Sequence, residues 1–441
     1  MNTPLCDALR TFAATSPLRM HMPGHKGMGL PLPELSAAAP LDFTELPPTG
    51  NLFEGDGPIR AAEELWAAAF HMDACLFLTG GSTQGVLSAL TLTCRPGDAV
   101  LLDRGCHRSA YNALALLDLQ PHYLYRPWLE EEGIGGPISP QAVEKELAEH
   151  PEIKTVCITS PTYYGVQSDI STLASVAHTH GARLIVDGAH GAHLPFLGDF
   201  SLSAADLAVV SAHKTLPAPG QSALLFANGV PLEELCRAGS LYGSSSPSYP
   251  MMAALDAARA WMETEGIPHL LETAEHVAAL RSAFPALRPQ TGLTLDPTRL
   301  VLSCPDGFAV KAALEELGVY PEMADQRHVV CICTASDTAA SFRRLEEALH
   351  AVLPQGVPLP PITLPPAPQP ELACSPRTAR FAPGETVPLL QAEGRIAAAQ
   401  IAPYPPGVPV VAPGEQLTKK TIAYLKQIGY NMEKGTEVVL L

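Results

Sequence analysis

The chain has 441 residues, which is too long for one core of the usual size and indicates two or three domains of about 100–200 residues each. Apolar residues make up 46% of it and charged residues 17%, a balance that excludes wholesale disorder. The chain has 28 Lys and Arg residues and 45 Asp and Glu residues, and the resulting net charge of −17 argues against a nucleic-acid partner. No apolar stretch reaches the ~18–20 residues of a membrane helix, and the N-terminal segment carries charges where a signal peptide would be apolar. We therefore expect a cytoplasmic protein with no membrane partner.

The ten cysteines are scattered along the chain without a C-x-x-C pair. A chain of this size folds without disulfides, and the spacing does not match a zinc-ribbon pattern. The sequence therefore predicts reduced, mostly buried thiols and no metal site.

Residues 1–57 are rich in Gly and Pro and are predicted to form an irregular N-terminal arm. Residues 58–258 are predicted to form a large domain, in which short apolar runs alternate with helical patterns. This alternation indicates a mainly parallel sheet covered on both faces, and hence an α/β domain. The predicted strands are 74–79, 99–103, 155–160, 183–187, 207–211 and 222–226, and the predicted helices are 59–70, 83–93, 107–117 and 173–180.

The pattern changes in residues 259–353, which are predicted to form a smaller α+β domain. Residues 354–370 contain eight prolines, which no helix or central strand would tolerate, so we expect an extended connector there. Residues 371–441 form a predicted C-terminal domain. Around the small domain the predicted helices are 253–263, 269–284 and 341–353, and the predicted strands are 299–304 and 328–334.

Unusual residues follow several of the predicted strands, at the edge where open α/β sheets bind ligands. The run GGSTQG follows the first strand and leads into a helix, so first-turn amides and the hydroxyls of Ser82 and Thr83 could hold a phosphate. It matches neither G-x-G-x-x-G nor the Walker pattern, which argues against a dinucleotide or a nucleoside triphosphate.

Asp187 ends another predicted strand, and Lys214 follows the next one, 27 residues later. Alone, Asp187 could be a structural cap and Lys214 a surface lysine. Together with the phosphate-binding turn they match what pyridoxal 5′-phosphate requires: an anchored phosphate, a carboxylate at the pyridine nitrogen and a lysine for the aldehyde. His107 could stack on the pyridine ring, or could be an ordinary polar loop histidine.

Many ordered motifs resemble the Orn/Lys/Arg decarboxylase family of fold type I pyridoxal-phosphate enzymes, in its short form without an N-terminal wing domain. Nearly the whole chain takes part. The motifs are MPGHKG (22–27), DFTEL (42–46), GNLFEGDGPI (50–59), GGSTQG (80–85), SPTYYGVQSD (160–169), DGAHGAH (187–193), SAHKT (211–215), SSSPSY (244–249), FAPGE (381–385) and PYPPGVPVVAPGE (403–415).

The resemblance implies a role for each matching residue. Lys214 matches the lysine that forms the Schiff base, Asp187 the partner of the pyridine nitrogen and His107 the residue stacked on the ring. Gly188 stands where family members commonly have Glu. The other positions matching cofactor-binding residues are Ser82, Thr83, Ser211 and His213 around the phosphate, Ala189 and His190 beside the cofactor, and Ser245, which would reach the phosphate of a neighbouring subunit in a homodimer.

The implied activity is α-decarboxylation of a basic amino acid, with arginine favoured over lysine and ornithine, and with a role in polyamine or diamine formation. His213 or Lys214 could deliver the proton to Cα. Aminotransferases and β-eliminases share the fold and the cofactor contacts, so another enzyme of fold type I is the alternative, as is a homologue that binds pyridoxal phosphate without turnover.

The cationic end of the substrate needs carboxylates or aromatic faces. We expect Glu385 to bind it, because its motif resembles a segment that the family brings near the active site and precedes a helical pattern. Glu415 is the second candidate, followed by Asp42 and Glu45 of the arm. Each of these could equally be a solvated surface acid.

Overall fold

The computed structural model describes residues 1–353, 365–403 and 407–440. Residues 354–364 of the predicted connector lie outside the described residues. The helices are α1 Pro4–Ala14, α2 Pro33–Ser36, α3 Gly57–Ala69, α4 Gly81–Thr93, α5 Arg108–Leu117, α6 Pro140–Glu149, α7 Ile170–Thr179, α8 Ala212–Thr215, α9 Leu232–Ser240, α10 Tyr249–Trp261, α11 Ile267–Ala283, α12 Gly307–Glu316, α13 Ala339–Val352, α14 Pro376–Phe381 and α15 Lys419–Gln427.

Sixteen short strands accompany these helices in the described part of the chain. They are β1 Ala74–Leu78, β2 Ala99–Asp103, β3 Gln120–Leu124, β4 Trp128–Leu129, β5 Ile134–Gly135, β6 Thr155–Thr159, β7 Val166–Gln167, β8 Arg183–Asp187, β9 Leu207–Val210, β10 Ala223–Ala227, β11 Thr294–Leu295, β12 Arg299–Ser303, β13 Met323–Ala324, β14 His328–Ile332, β15 Gly384–Pro388 and β16 Gly435–Val439.

The chain forms two compact units, and the first consists of residues 1–92 and 185–271. Its strands lie in the order β1-β10-β9-β8, and only β10 runs against its neighbours. Aromatic rings fill the space beside the sheet, where Phe70 stacks on Phe226 at 4.2 Å and Trp66 packs against Phe196. The apolar strands are buried on both faces, as the continuous hydrophobic runs predict.

The second unit consists of residues 93–184 and 272–441. Its strands β6, β2 and β3 pair in parallel, with β3 at the edge. A separate antiparallel sheet, β12-β14-β13, packs against α12 and α13 to form the core of the predicted small domain. The C-terminal residues build a further core around the pair β15-β16 and helix α15. The predicted α/β class with a mainly parallel sheet is confirmed.

The prediction of an irregular arm over residues 1–57 is wrong for its first residues, which form helix α1. Leu5 and Leu9 are buried on one face of this helix, and Pro4 suits its first position. The carboxylate of Asp256 on α10 accepts the N–H groups of Leu5 and Cys6 at 2.9 and 3.1 Å. A distant side chain therefore caps this helix, because Thr3 at the N-cap makes no side-chain hydrogen bond to it.

Candidate active site

Helix α4 begins directly after β1, so the predicted phosphate-binding turn lies at a helix N-terminus. Ser82 is half-buried and Thr83 exposed in the first turn. The side chain of Gln84 accepts the N–H of Gly80 at 2.9 Å and donates to the carbonyl of Gly239 at 2.9 Å, which fixes the turn. A Cβ at Gly85 would lie 2.6 Å from Val209 Cγ1, so only glycine lets α4 pack this closely on β9.

Asp187 is the last residue of β8, and its side chain is buried where the strand ends. Parallel pairing places it opposite Val209 of β9, and the N–H of Gly188 donates to the Val209 carbonyl at 2.8 Å. Oδ1 of Asp187 accepts the N–H of Ala189 at 3.2 Å, which orients the carboxylate. A Cβ at Gly188 would be in van der Waals contact with Leu202 at 3.4 Å, so packing does not by itself forbid a side chain there.

Lys214 lies on the short helix α8, four residues beyond the end of β9. Its Nζ is 3.2 Å from Nε2 of His190, which is 4% exposed. His190 belongs to the turn that starts at Asp187, so the structure brings together the ends of two neighbouring parallel strands. The lysine itself is half-buried, which keeps it within reach of a small molecule.

Two buried hydroxyls beside this lysine, those of Ser211 and Thr215, have no hydrogen-bond partner among the described residues. A buried hydroxyl without a partner is costly, and phosphate oxygens would satisfy both. Nδ1 of His213 lies 2.9 Å from the carbonyl of Ser222, which can only accept a hydrogen bond, so Nδ1 carries the proton. Nε2 is then the nitrogen of this ring that can accept a proton or a hydrogen bond. Together with the α4 N-terminus, these residues fit a phosphorylated cofactor.

His107 and Ser245 were also predicted to contact the cofactor. His107 belongs to the second unit, where it precedes α5 and its Nδ1 lies 2.9 Å from Oγ of Ser109. Ser245 is exposed in the segment before α10. Their roles on the cofactor stay predictions.

The two glutamates expected at the substrate's cationic end have arginine partners within the second unit. Glu385 is exposed on β15, with Oε1 2.8 Å from Nη2 of Arg395. The prediction of a helix after the Glu385 motif is wrong, because β15 is followed by a three-residue 3₁₀ turn, Leu389–Gln391. Pairing with β16 holds this segment extended.

Glu415 is completely buried, and its Oε2 lies 2.9 Å from Nη2 of Arg104 and accepts the N–H of Ala412 at 2.7 Å. Burial raises the pKa of Glu415, and neither Arg104 nor the Ala412 N–H outweighs that effect. Glu415 therefore forms an ion pair with Arg104 in the protein core. Of the other two acids, Asp42 binds His25 at 3.0 Å and Glu45 accepts the hydroxyl of Thr44.

Sequence reasoning missed the arginine that supports the loop before His107. Asp103 ends β2 as Asp187 ends β8, but its Oδ2 lies 2.6 Å from Nη2 of Arg126, and both side chains are buried. Its carboxylate also accepts the N–H groups of Gly105 and Thr159. The signal was available, because a buried strand-end carboxylate requires a cation or several donors.

A helix N-terminus suited to phosphate, a strand-end aspartate and a lysine after the next strand are the features of a pyridoxal-phosphate enzyme of fold type I. The comparisons with known proteins give the family. The family model described as "Orn/Lys/Arg decarboxylase, major domain" matches residues 3–301, and that of the C-terminal domain matches residues 367–434. The chain belongs to the Orn/Lys/Arg decarboxylase family, and it is a pyridoxal-phosphate-dependent decarboxylase of a basic amino acid.

Curated relatives match along the whole chain. An arginine decarboxylase of Bacillus subtilis (strain 168) is 30% identical over 99% of this chain and 95% of its own length. An arginine decarboxylase of Bacillus anthracis is also 30% identical, over 99% of this chain and 94% of its own length. Lysine decarboxylase A from Pseudomonas aeruginosa superimposes with a TM-score of 0.82 at 22% identity, over 99% of this chain and 80% of that one. This last likeness supports the fold.

Proposed function

We propose that this decarboxylase acts on arginine and forms agmatine and carbon dioxide. The observation that carries the choice of substrate is the full-length similarity, at 30% identity, to proteins named arginine decarboxylase. Two relatives named lysine decarboxylase, from Pseudomonas aeruginosa and Escherichia coli, match at 24% identity. Lysine and ornithine are therefore the competing substrates. The product is an amine that leads to polyamine or diamine formation.

The residues after β8 and β9 are proposed to hold and use the cofactor. When bound, pyridoxal phosphate accepts the electron pair left when the bond from Cα to the carboxylate breaks. Asp187 keeps a positive charge at the pyridine nitrogen, because its buried carboxylate ends the strand where that nitrogen would sit. Ser82, Thr83 and Ser211 bind the phosphate, while Ala189, His190 and His107 pack beside the ring.

A proton must replace the carboxylate at Cα, and two side chains of this chain could supply it. Nε2 of His213 is one source, because Nδ1 is engaged with Ser222 and Nε2 can gain and release the second proton. Nζ of Lys214 is the other, since it lies 3.2 Å from His190 Nε2 and can exchange a proton with that ring. Both remain candidates for this step.

The distal guanidinium is proposed to bind Glu385 first and Glu415 second. Glu385 is exposed and pairs with Arg395 at the surface, where a competing cation could take the place of the arginine. Glu415 would have to leave a buried pair with Arg104, which costs more. Exposure therefore favours Glu385.

We also propose a cytoplasmic homodimer. All ten cysteines are free and nine of them are buried, which supports a reducing compartment. Among the described residues, no helix has both the length and the apolar character needed to cross a bilayer.

The dimer is supported by six large apolar side chains that are exposed within residues 18–35 of the arm: Leu18, Met20, Met22, Met28, Leu32 and Leu35. Contact with a second subunit would cover them, and Ser245 would contribute to that subunit's site.

The test is carbon dioxide release from carboxyl-labelled arginine, lysine and ornithine by the enzyme loaded with pyridoxal phosphate. We expect kcat/KM to be largest for arginine, with agmatine as the product and Lys214→Ala as the inactive control. A keto acid product would identify an aminotransferase instead. Release of carbon dioxide from none of the three would identify a homologue without turnover.

A further inference from the structure

Three side chains with metal-binding atoms meet in the second unit, and none of them belongs to the predicted cofactor site. They are His122, His150 and Glu152, whose potential ligand atoms all lie within 4.8 Å of one another. Two are imidazoles and one is a carboxylate. The spacing of the cysteines predicted no metal site, but this cluster contains no cysteine.

Backbone pairing fixes where two of these side chains stand. His122 lies in the middle of the edge strand β3, opposite Leu101 of β2. His150 is the C-cap residue that follows α6: its N–H donates to the carbonyl of Glu146 at 2.9 Å, and its own carbonyl accepts the N–H of Ile153 at 3.1 Å. The cluster therefore joins a sheet edge to a helix end.

The distances suit a small divalent ion. The imidazole centroids of His122 and His150 are 4.2 Å apart with the rings inclined by 50°. Nδ1 of His150 is 3.4 Å from Oε1 of Glu152. Ligand atoms at about 2.0–2.1 Å from a tetrahedral zinc ion lie about 3.3–3.5 Å apart, so this pair is already at the required spacing. Small side-chain rotations would bring in the third atom.

The electrostatic environment favours a cation. His122 and His150 are half-buried, whereas Glu152 is exposed, so the cluster opens to solvent on the side of its carboxylate. Glu146 adds negative charge near His122. The C-terminal end of the α6 dipole also attracts positive charge.

We propose that His122, His150 and Glu152 bind one divalent transition-metal ion, of which Zn²⁺ is the representative, and that this ion ties the edge strand β3 to the end of α6. Two imidazoles and a carboxylate form a zinc ligand set, and water would complete the coordination on the exposed side. Nothing in the decarboxylation reaction requires this ion. The site is structural, and it holds an edge strand to a helix that follows it in the chain.

The experiment titrates Zn²⁺ into the chelator-treated holoenzyme, with calorimetry for stoichiometry and Co²⁺ absorption for coordination. We expect one Zn²⁺ per chain and a higher melting temperature with the ion. His122→Ala and His150→Ala should each weaken binding at least about tenfold. His180→Ala is the matched control, because His180 also pairs with a glutamate, Glu144, at 2.9 Å. That variant should bind as the wild type does.

Pyridoxal-phosphate absorbance and circular dichroism report whether each variant is folded. His150 lies at a helix end with its side chain more than one-third exposed, so His150→Ala remains informative if the strand variant fails to fold. Wild-type protein that binds no Zn²⁺ at 100-fold molar excess would overturn the proposal. Unchanged affinity in His150→Ala, or an equal loss of affinity in His180→Ala, would overturn it as well.

Discussion

Asp103 and Asp187 both end buried strands, yet their surroundings give them different roles. Asp103 has a buried arginine, Arg126, and two backbone donors, so its charge is used within the fold. Asp187 leads into the turn that carries His190 to within 3.2 Å of Lys214 Nζ. Position at a strand end was readable from the sequence. The identity of the neutralising partner was not, because Arg126 comes from a segment 23 residues further along the chain.

Asp187→Asn tests whether the carboxylate at the end of β8 stabilises charge on the cofactor. The amide keeps the shape of the side chain and accepts the Ala189 N–H, but it cannot stabilise positive charge on a pyridine nitrogen. We expect kcat to fall at least about 100-fold with circular dichroism unchanged. Asp199→Asn, at a carboxylate that accepts the Ser201 N–H, is the control and should keep wild-type kcat. Near wild-type turnover in Asp187→Asn would make the carboxylate a structural cap.

Glu385→Gln tests the substrate's cationic end. If Glu385 binds the guanidinium, removal of its charge should raise KM for arginine about tenfold and leave cofactor absorbance unchanged. Glu437→Gln is the matched control, because Glu437 lies on the paired strand β16 and binds Arg380 at 2.8 Å. Equal KM values for the two variants and the wild type would remove Glu385 from the substrate site.

Helix α3 shows at the element scale how a buried acid can stabilise packing in its neutral form. Glu63 lies on its inner face, and Oε1 accepts the N–H of Phe77 in β1 at 2.8 Å. Burial raises the pKa of Glu63 to about 8, although the Phe77 N–H and Arg60 oppose the shift. The folded protein therefore holds a proton that the unfolded chain releases at lower pH.

The sign of the pH dependence follows from that shift. Because the folded pKa lies above the value of 4.5 for the unshifted group, the stabilisation is fully present below about pH 4.5 and is lost as pH rises toward about 8. The free energy of unfolding of the wild type should fall relative to Glu63→Gln by on the order of 2 kcal/mol between about pH 5.5 and 7.5. Chemical denaturation at both pH values measures it, with Glu64→Gln, at an exposed neighbour, as the control. Parallel curves for wild type and Glu63→Gln would show that Glu63 is ionised in the fold.

The strands that the sequence predicted in the large domain share one property, a short and largely apolar run of residues; they are β1, β2, β6, β8, β9 and β10. Strand β3 was not predicted. Its sequence, QPHYL, is polar because one edge of the strand is unpaired. Helix α1 was missed although Thr3 and Pro4 are a local start signal, because the Gly and Pro content of the rest of the arm outweighed it. Strand β15 was missed because its register depends on β16, some fifty residues later.

At the scale of the whole molecule, the arm presents an apolar surface that a single chain leaves exposed. Met20 is 83% exposed and Met28 is 90% exposed, although Phe43 in the same segment is buried under Arg19. In the proposed homodimer, a second copy of this chain would cover such a surface. The predicted reach of Ser245 to a neighbouring subunit likewise requires a dimer.

The double variant Met20→Glu/Met28→Glu tests this contact. Two charges in an apolar interface are costly to bury, so we expect the mass from light scattering to change from dimer to monomer. Leu390→Glu, at a side chain 56% exposed in the second unit, is the control and should leave the dimer intact. A monomeric wild type, or a double variant that remains dimeric, would contradict the proposal.

The central claim is that the ends of β8 and β9 build the cofactor site around Lys214. Borohydride reduction of the holoenzyme fixes the pyridoxyl group to the lysine that holds it, and peptide mapping by mass spectrometry then locates that lysine. The account predicts the label on Lys214, loss of the visible absorption band on reduction, and no label in Lys214→Ala. A label on Lys26 of the arm, or on any lysine other than Lys214, would contradict it.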